Sequence, residues 1–189
     1  MSKEYVCPWQ MGNLLSLSAR KLVHNPRRIL SPYLSEGMTA MDVGCGMGYF
    51  TLPMARLTGE GGRVIAADLQ REMLDGMLKK AEKAGVRDRI EPHLCEKTSL
   101  RVEALSGTVH FALLFMMLHE VPDPERLVRE VCDTLAPGGK LLFAEPVVHV
   151  GRRAYEKSLQ ILRDAGLTVI GRPHVALCRA VLLEKPVTL

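Results

Sequence analysis

Met41-Asp42-Val43-Gly44-Cys45-Gly46-Met47-Gly48-Tyr49-Phe50 decides how this chain is read. Three glycines at alternate positions follow an apolar run and precede a segment with helical periodicity. Glycine has no Cβ and tolerates positive φ, so a loop with Gly44, Gly46 and Gly48 turns tightly and lies close against a ligand. The next helix, expected over residues 49–57, aims free N–H groups and the positive end of its dipole at that loop, which suits a carboxylate or a phosphate equally. The spacing is G-x-G-x-G. Dinucleotide-binding loops carry G-x-G-x-x-G, so the spacing argues against a dehydrogenase.

Outward from this loop, strand and helix patterns alternate. Strands are expected at 39–43, 63–67, 89–94, 109–116, 140–144, 167–171 and 176–184. Helices are expected at 49–57, 70–84, 124–135 and 153–165, and the turn Pro137-Gly138-Gly139 leads into the fifth strand. The run from Arg63 to Ala67 is nearly all apolar, as in a strand buried on both faces. The last two strands are separated by a short loop and can pair antiparallel. The fold class is α/β: a three-layer, Rossmann-like, doubly wound sheet of seven strands, mostly parallel, with one antiparallel edge element near the C-terminus. Residues 14–33 read as one or two short helices outside the sheet.

A chain of 189 residues suits one domain with a substantial core. No apolar run approaches the ~20 residues that span a bilayer, and Met1–Gly12 lacks the apolar stretch of a secretory signal. A cytoplasmic protein without membrane insertion is expected. The formal charge of +4 is distributed in short clusters, Arg27-Arg28, Lys79-Lys80 and Arg152-Arg153, which read as solvated helix ends; nucleic-acid binders concentrate charge more heavily. Five cysteines without a C-x-x-C pair argue against a disulfide framework and a zinc site, and no metal is expected.

Ligands of open parallel sheets sit beyond the carboxyl ends of the strands. Asp68 ends the second strand, where it accepts hydrogen bonds from ribose hydroxyls or caps the following helix. Cys95-Glu96-Lys97 follows the third strand at the same edge. His119-Glu120 follows the fourth; His119 serves as a base or orders the loop before Asp123. Glu145 ends the fifth strand, contacting substrate or closing the strand. Tyr49 faces the ligand, the lid or the core.

Together these segments resemble the class I S-adenosylmethionine-dependent methyltransferases, in particular the small group acting on metabolites and quinone-like compounds. The resemblance covers about residues 30–186 and rests on Asp42–Gly48, Val64–Asp68, Phe111–Asp123 and Leu135–Leu141 in the family's order. It implies an S-adenosylmethionine-binding domain over 37–189, with residues 1–36 as a helical lid. Asp42, Gly44, Cys45, Gly46, Gly48 and Tyr49 then form the cofactor loop, with residues 44–46 against the methionyl part. Asp68 takes the ribose, while Leu69, Met73, Cys95, Glu96 and Lys97 surround the adenine. Phe115 and Leu118 flank the reactive end. Glu96 stands where the family usually has Asp, which puts the adenine amino contact in doubt.

Methyl transfer mainly requires positioning and an aprotic pocket, plus a base when the acceptor begins protonated; His119 is the candidate. Cys7-Pro8-Trp9 and Met11, with Met47, Met116 and Met117, make an adaptable apolar wall suited to a flat or lipophilic small molecule. The Asn/Asp-Pro-Pro-Tyr/Phe segment of nucleic-acid and protein methyltransferases is replaced by Phe115-Met116-Met117-Leu118. Two alternatives stand beside this: a cofactor-binding accessory protein without turnover, and a metalloid or thiol methyltransferase, suggested by Cys7, Cys45, Cys95 and Cys178. The protein is expected to be a monomer or a homodimer.

Overall fold

The computed structural model describes residues 23–187; Cys7, Trp9 and Met11, and the part of the 14–33 segment before residue 23, lie outside them. A short helix α1 (Pro26–Leu30), capped by the Asn25 side chain on the Arg28 N–H, leads to β1 (Thr39–Val43). There follow α2 (Thr51–Leu57), β2 (Arg63–Asp68), α3 (Arg71–Lys83), β3 (Ile90–Leu94) and β4 (Val109–Phe115). The chain continues with α4 (Pro124–Thr134), β5 (Leu135–Pro146), α5 (Arg152–Asp164), β6 (Thr168–Gly171) and β7 (Cys178–Glu184).

The seven strands form one sheet in the order β3-β2-β1-β4-β5-β7-β6. β1 to β5 pair in parallel, and β7 runs antiparallel to both β5 and β6. β7 is therefore inserted between β5 and β6, and β7 with β6 forms the antiparallel element expected at this edge of the sheet. The residues explain the insertion. Ala180 to Leu183 are consecutively buried, as in a strand covered on both faces, whereas β6 alternates between half-buried and exposed.

Period-two alternation sends Met41, Ile65, Ala112 and Phe143 to one face, against Val128 and Val131 of α4 and Leu159 of α5. It sends Ala40, Val64, Phe111 and Leu142 to the other, against Met54 of α2 and Met77 of α3. Fully burying each large side chain contributes about 1.5–3 kcal/mol. β5 begins five residues earlier than expected. Val109 pairs with Leu135 and Phe111 with Lys140, so residues 136–139 bulge out. The bulge is clasped by the residue after β7: Gly138 N–H donates to Lys185 O and Lys185 N–H to Gly139 O. A Cβ on Gly139 would stand 2.8 Å from Ala136 O, so glycine is required there.

Strand order reverses between β1 and β4, which opens a crevice at their carboxyl ends. No helix among the described residues is long and apolar enough to cross a membrane.

Candidate active site

The glycine loop closes over the crevice by backbone hydrogen bonds. Gly44 and Cys45 N–H both donate to Ala67 O, tying the loop to β2, and Gly48 N–H donates to Cys45 O. All three glycines have positive φ, but their surroundings differ. A Cβ on Gly46 would meet nothing within 4 Å, so this position leaves open space. On Gly44 it would press on Met117, and on Gly48 it would lie 2.6 Å from Leu52 and Met77. Gly48 thus brings α2 and α3 together and does not line the crevice. α2 begins at Thr51, two residues later than expected, and the Thr51 hydroxyl donates to buried Asp42 at 2.6 Å.

Asp68 stands at the end of β2, where its Oδ2 accepts from Gly46 N–H and its Oδ1 from Gln70 N–H, each at 2.9 Å. It therefore ties the glycine loop to the start of α3. The carboxylate keeps acceptor capacity for a ligand beside these N–H groups. Burial raises its pKa above 3.8, against the lowering pull of the Gln70, Gly46 and Leu69 N–H groups. Beyond β3, Glu96 pairs with Arg101 at 2.8 Å. Glu130 of α4 holds this loop from behind, accepting from the Ser99 hydroxyl and the Leu100 N–H.

At the other end of the crevice the chain makes a strained turn after β4, with Met116 at φ +57°. His119 follows on a single 3₁₀ turn, Leu118–Glu120. Glu145, only 1% exposed, accepts from the His119 backbone N–H at 3.1 Å and from Nδ1 at 2.7 Å. Nδ1 thus carries a proton, leaving Nε2 to gain or lose one. The Glu145 hydrogen bond raises the His119 pKa above 6.5, opposed by burial and reinforced by the charges of Glu145 and Glu120.

These residues surround one cavity of about 610 Å³. Asp42, Gly44, Cys45, Gly46, Tyr49, Asp68, Leu69, Met73, Cys95, Glu96, Lys97, Phe115 and His119 all line it. Leu118 does not; it is buried in the core beside Leu114. Tyr49 lines the cavity and also donates its hydroxyl to His24 O at 2.6 Å, fastening the N-terminal segment to the loop.

A family model described as "Methyltransferase domain" matches residues 34–166. The ubiquinone/menaquinone biosynthesis C-methyltransferase UbiE of Klebsiella pneumoniae is 31% identical over 138 residues, 69% of this chain and 53% of that protein. The chain belongs to the class I S-adenosylmethionine-dependent methyltransferases. A demethylmenaquinone methyltransferase of Shouchella clausii is 30% identical over 65% of this chain and 52% of its own length. The chain thus spans about half the length of the curated relatives it matches. Among solved structures, a SAM-dependent methyltransferase from Aquifex aeolicus aligns with a TM-score of 0.83 at 25% identity, covering 95% of this chain and 100% of that one.

The cofactor of this family is S-adenosylmethionine, and the crevice fits it on two observations. The open space over Gly46 lets a ligand approach the backbone, and Asp68 presents a carboxylate on the same wall. Cys45 and Cys95 do not read as nucleophiles. Burial pushes the Cys45 thiol well above its ordinary range, with Asp42 and Asp68 adding to the shift. Burial likewise raises Cys95 to about 12. Among the described residues, no group of three His, Cys, Asp or Glu is placed to hold a metal ion.

Sequence reasoning passed over Glu130 and His24. Glu130 acts across 30 residues of chain, and its helix marks it only as polar. His24 Nε2 lies 2.7 Å from Ala176 O, across 152 residues. The Glu145–His119 contact was equally hidden, although both residues were individually visible.

Proposed function

We propose that this methyltransferase methylates a small, flat, lipophilic acceptor of the quinol type, with His119 taking up the acceptor's proton. Bound S-adenosylmethionine supplies a methyl group on a sulfonium, open to in-line displacement by a nucleophile. Gly44, Cys45 and Gly46 hold the methionyl end and Asp68 the ribose. Leu69, Met73, Cys95, Glu96 and Lys97 surround the adenine, and Phe115 lies at the reactive end. Asp42 braces the loop through Thr51, while Gly48 and Leu118 act through packing.

The observation that carries this reading is the continuity of the cavity from Asp68 to His119 along an apolar wall that includes Phe115, Met116 and Met117. An apolar wall excludes water and favours a ring over a polyanion. The Glu145–His119 pair is needed only if the acceptor brings a proton that must leave, as a phenolic hydroxyl does. The names of the relatives point to the same acceptor class. Residues 1–36 serve as the lid in this reading, which is supported by His24, a residue of that span that lines the cavity.

Incubating the protein with S-adenosylmethionine and a panel of quinols and phenols tests this reading. S-adenosylhomocysteine is expected to accumulate with at least one quinol. Cofactor binding without product across the panel would instead favour the accessory-protein reading.

A further inference from the structure

Folding concentrates the charge that the sequence disperses. Residues 147–157, running from β5 into α5, and residues 172–179, running from β6 into β7, lie side by side. Val147 N–H donates to Leu177 O at 3.0 Å, and Arg179 Nη1 donates to Val150 O at 2.8 Å. The two segments carry Arg152, Arg153, Lys157, Arg172 and Arg179 against a single carboxylate, Glu156, with Lys157 turned to a separate cavity beside Asp133 and Asp164. Their formal charge therefore equals that of the whole chain, +4, and the rest of the protein is neutral in sum. A cavity of about 560 Å³ between the segments is lined by Arg152, Arg172, His174 and Arg179. Tyr155 also lines it, and its buried hydroxyl has no hydrogen-bond partner among the described residues.

Beside this basic ground the chain exposes apolar side chains. Val148 is 77% exposed, Leu177 62% and Val147 39%. Val23, at 42%, belongs to the same rim through the contact of His24 with Ala176 O. Four of the eight exposed large apolar side chains among the described residues thus gather here. Leu177 has φ +58°, a left-handed backbone that side chains other than glycine adopt at a cost. Val148 and Leu177 also line the active-site cavity, so the apolar rim is its mouth.

We propose that this rim docks on an anionic membrane surface. Val147, Val148 and Leu177 enter the headgroup boundary, and Arg152, Arg153 and Arg172 meet lipid phosphates, with one headgroup seated between Arg152 and Arg172. Aliphatic tips flanked by cations match that surface on both counts: apolar area is buried in the interface, and the positive charge meets its negative potential. Nucleic acid fits less well, because among the described residues the rim exposes no Phe, Tyr or Trp ring on which a base stacks; Tyr155 is buried. Docking holds the cavity mouth against the lipid, from which a lipophilic acceptor enters. Only that last consequence rests on the proposed function.

Co-sedimentation of the full chain with vesicles tests the proposal independently of turnover. Vesicles of phosphatidylcholine with about one third phosphatidylglycerol should bind roughly tenfold or more tightly than phosphatidylcholine alone, with the difference lost at high salt. Arg152→Glu with Arg172→Glu should abolish the preference for anionic vesicles. Val148→Asp with Leu177→Asp should weaken binding to both, and thermal unfolding verifies that each exposed double variant is folded. Equal binding to both vesicles, absence of binding, or variants that bind like the parent would overturn the proposal. So would a self-association that Val148→Asp with Leu177→Asp removes, since it would assign the rim to a second copy. Vesicle binding without methylation would leave this inference standing while removing the quinol reading, and the converse result would do the opposite.

Discussion

Glu145 grips His119 twice, through the backbone N–H at 3.1 Å and through ring Nδ1 at 2.7 Å, from a position that is 1% exposed. The grip fixes the ring's tautomer and orientation, which makes Nε2 the proton acceptor in the proposed reaction. His119 has a pKa raised above 6.5, first by the Glu145 hydrogen bond. Activity should therefore rise with pH through a value above 6.5, as Nε2 loses its proton. Glu145→Gln keeps the size but removes the charge, and should move this limb to lower pH. Titration of the His119 ring followed by NMR should shift in the same direction; an unmoved limb would separate His119 from proton transfer.

The same pair predicts the pH dependence of stability. A raised folded-state pKa means that the His119–Glu145 contribution is complete below pH 6.5 and is lost as the pH rises through the folded value. The stability difference between the parent and Glu145→Gln should shrink across that range. Urea unfolding at several pH values reads this directly. A difference that grows with pH would contradict it.

Asp68 accepts from Gly46 and Gln70, so Asp68→Asn turns one acceptor oxygen into a donor facing an N–H. Charge-assisted hydrogen bonds contribute about 1.5–3 kcal/mol each, so S-adenosylhomocysteine should bind roughly 10–100-fold more weakly. Calorimetric titration measures it.

Gly46 and Gly48 should respond in opposite ways to alanine. Gly48→Ala places a Cβ 2.6 Å from Leu52 and Met77 at φ +80°; it should cost about 2 kcal/mol, a fall in Tm of roughly 4–8 °C. Gly46→Ala meets no neighbour, so it should weaken cofactor binding more than it lowers Tm. Thermal unfolding and cofactor titration on both variants separate the roles.

Cys45 and Cys95 should stay unmodified when the native protein is briefly alkylated at pH 8 and mapped by mass spectrometry. With a pKa of about 12, Cys95 holds only on the order of one thiolate in 10,000 at that pH. Rapid labelling of both would revive a thiol-based reading.

What could be read from the chain alone was local in origin. The strand at 39–43, the glycine loop and the acid closing β2 announce themselves within about thirty residues through periodicity, spacing and turn chemistry. Relationships made by folding did not. Glu145 meets His119 across 26 residues and Glu130 meets Leu100 across 30. The packing duty of Gly48 depends on Met77 of the next helix. The short loop before β7 announced the antiparallel pair at the edge, but that β7 lies inside β6 depends on the cover that the apolar run Ala180–Leu183 finds on both faces. The dispersed arginines become a patch only because the segments after β5 and β6 meet.

In the proposed reaction one crevice binds the methyl donor at Asp68 and takes the acceptor's proton at His119. Transfer of isotopically labelled methyl from S-adenosylmethionine to a quinol acceptor, compared between the parent and His119→Asn, tests it most directly. Asparagine can still donate to Glu145 but offers no basic nitrogen. Labelled product should form with the parent and fall about 10²–10⁴-fold in the variant, with S-adenosylhomocysteine affinity unchanged. Equal turnover by both proteins would contradict the account.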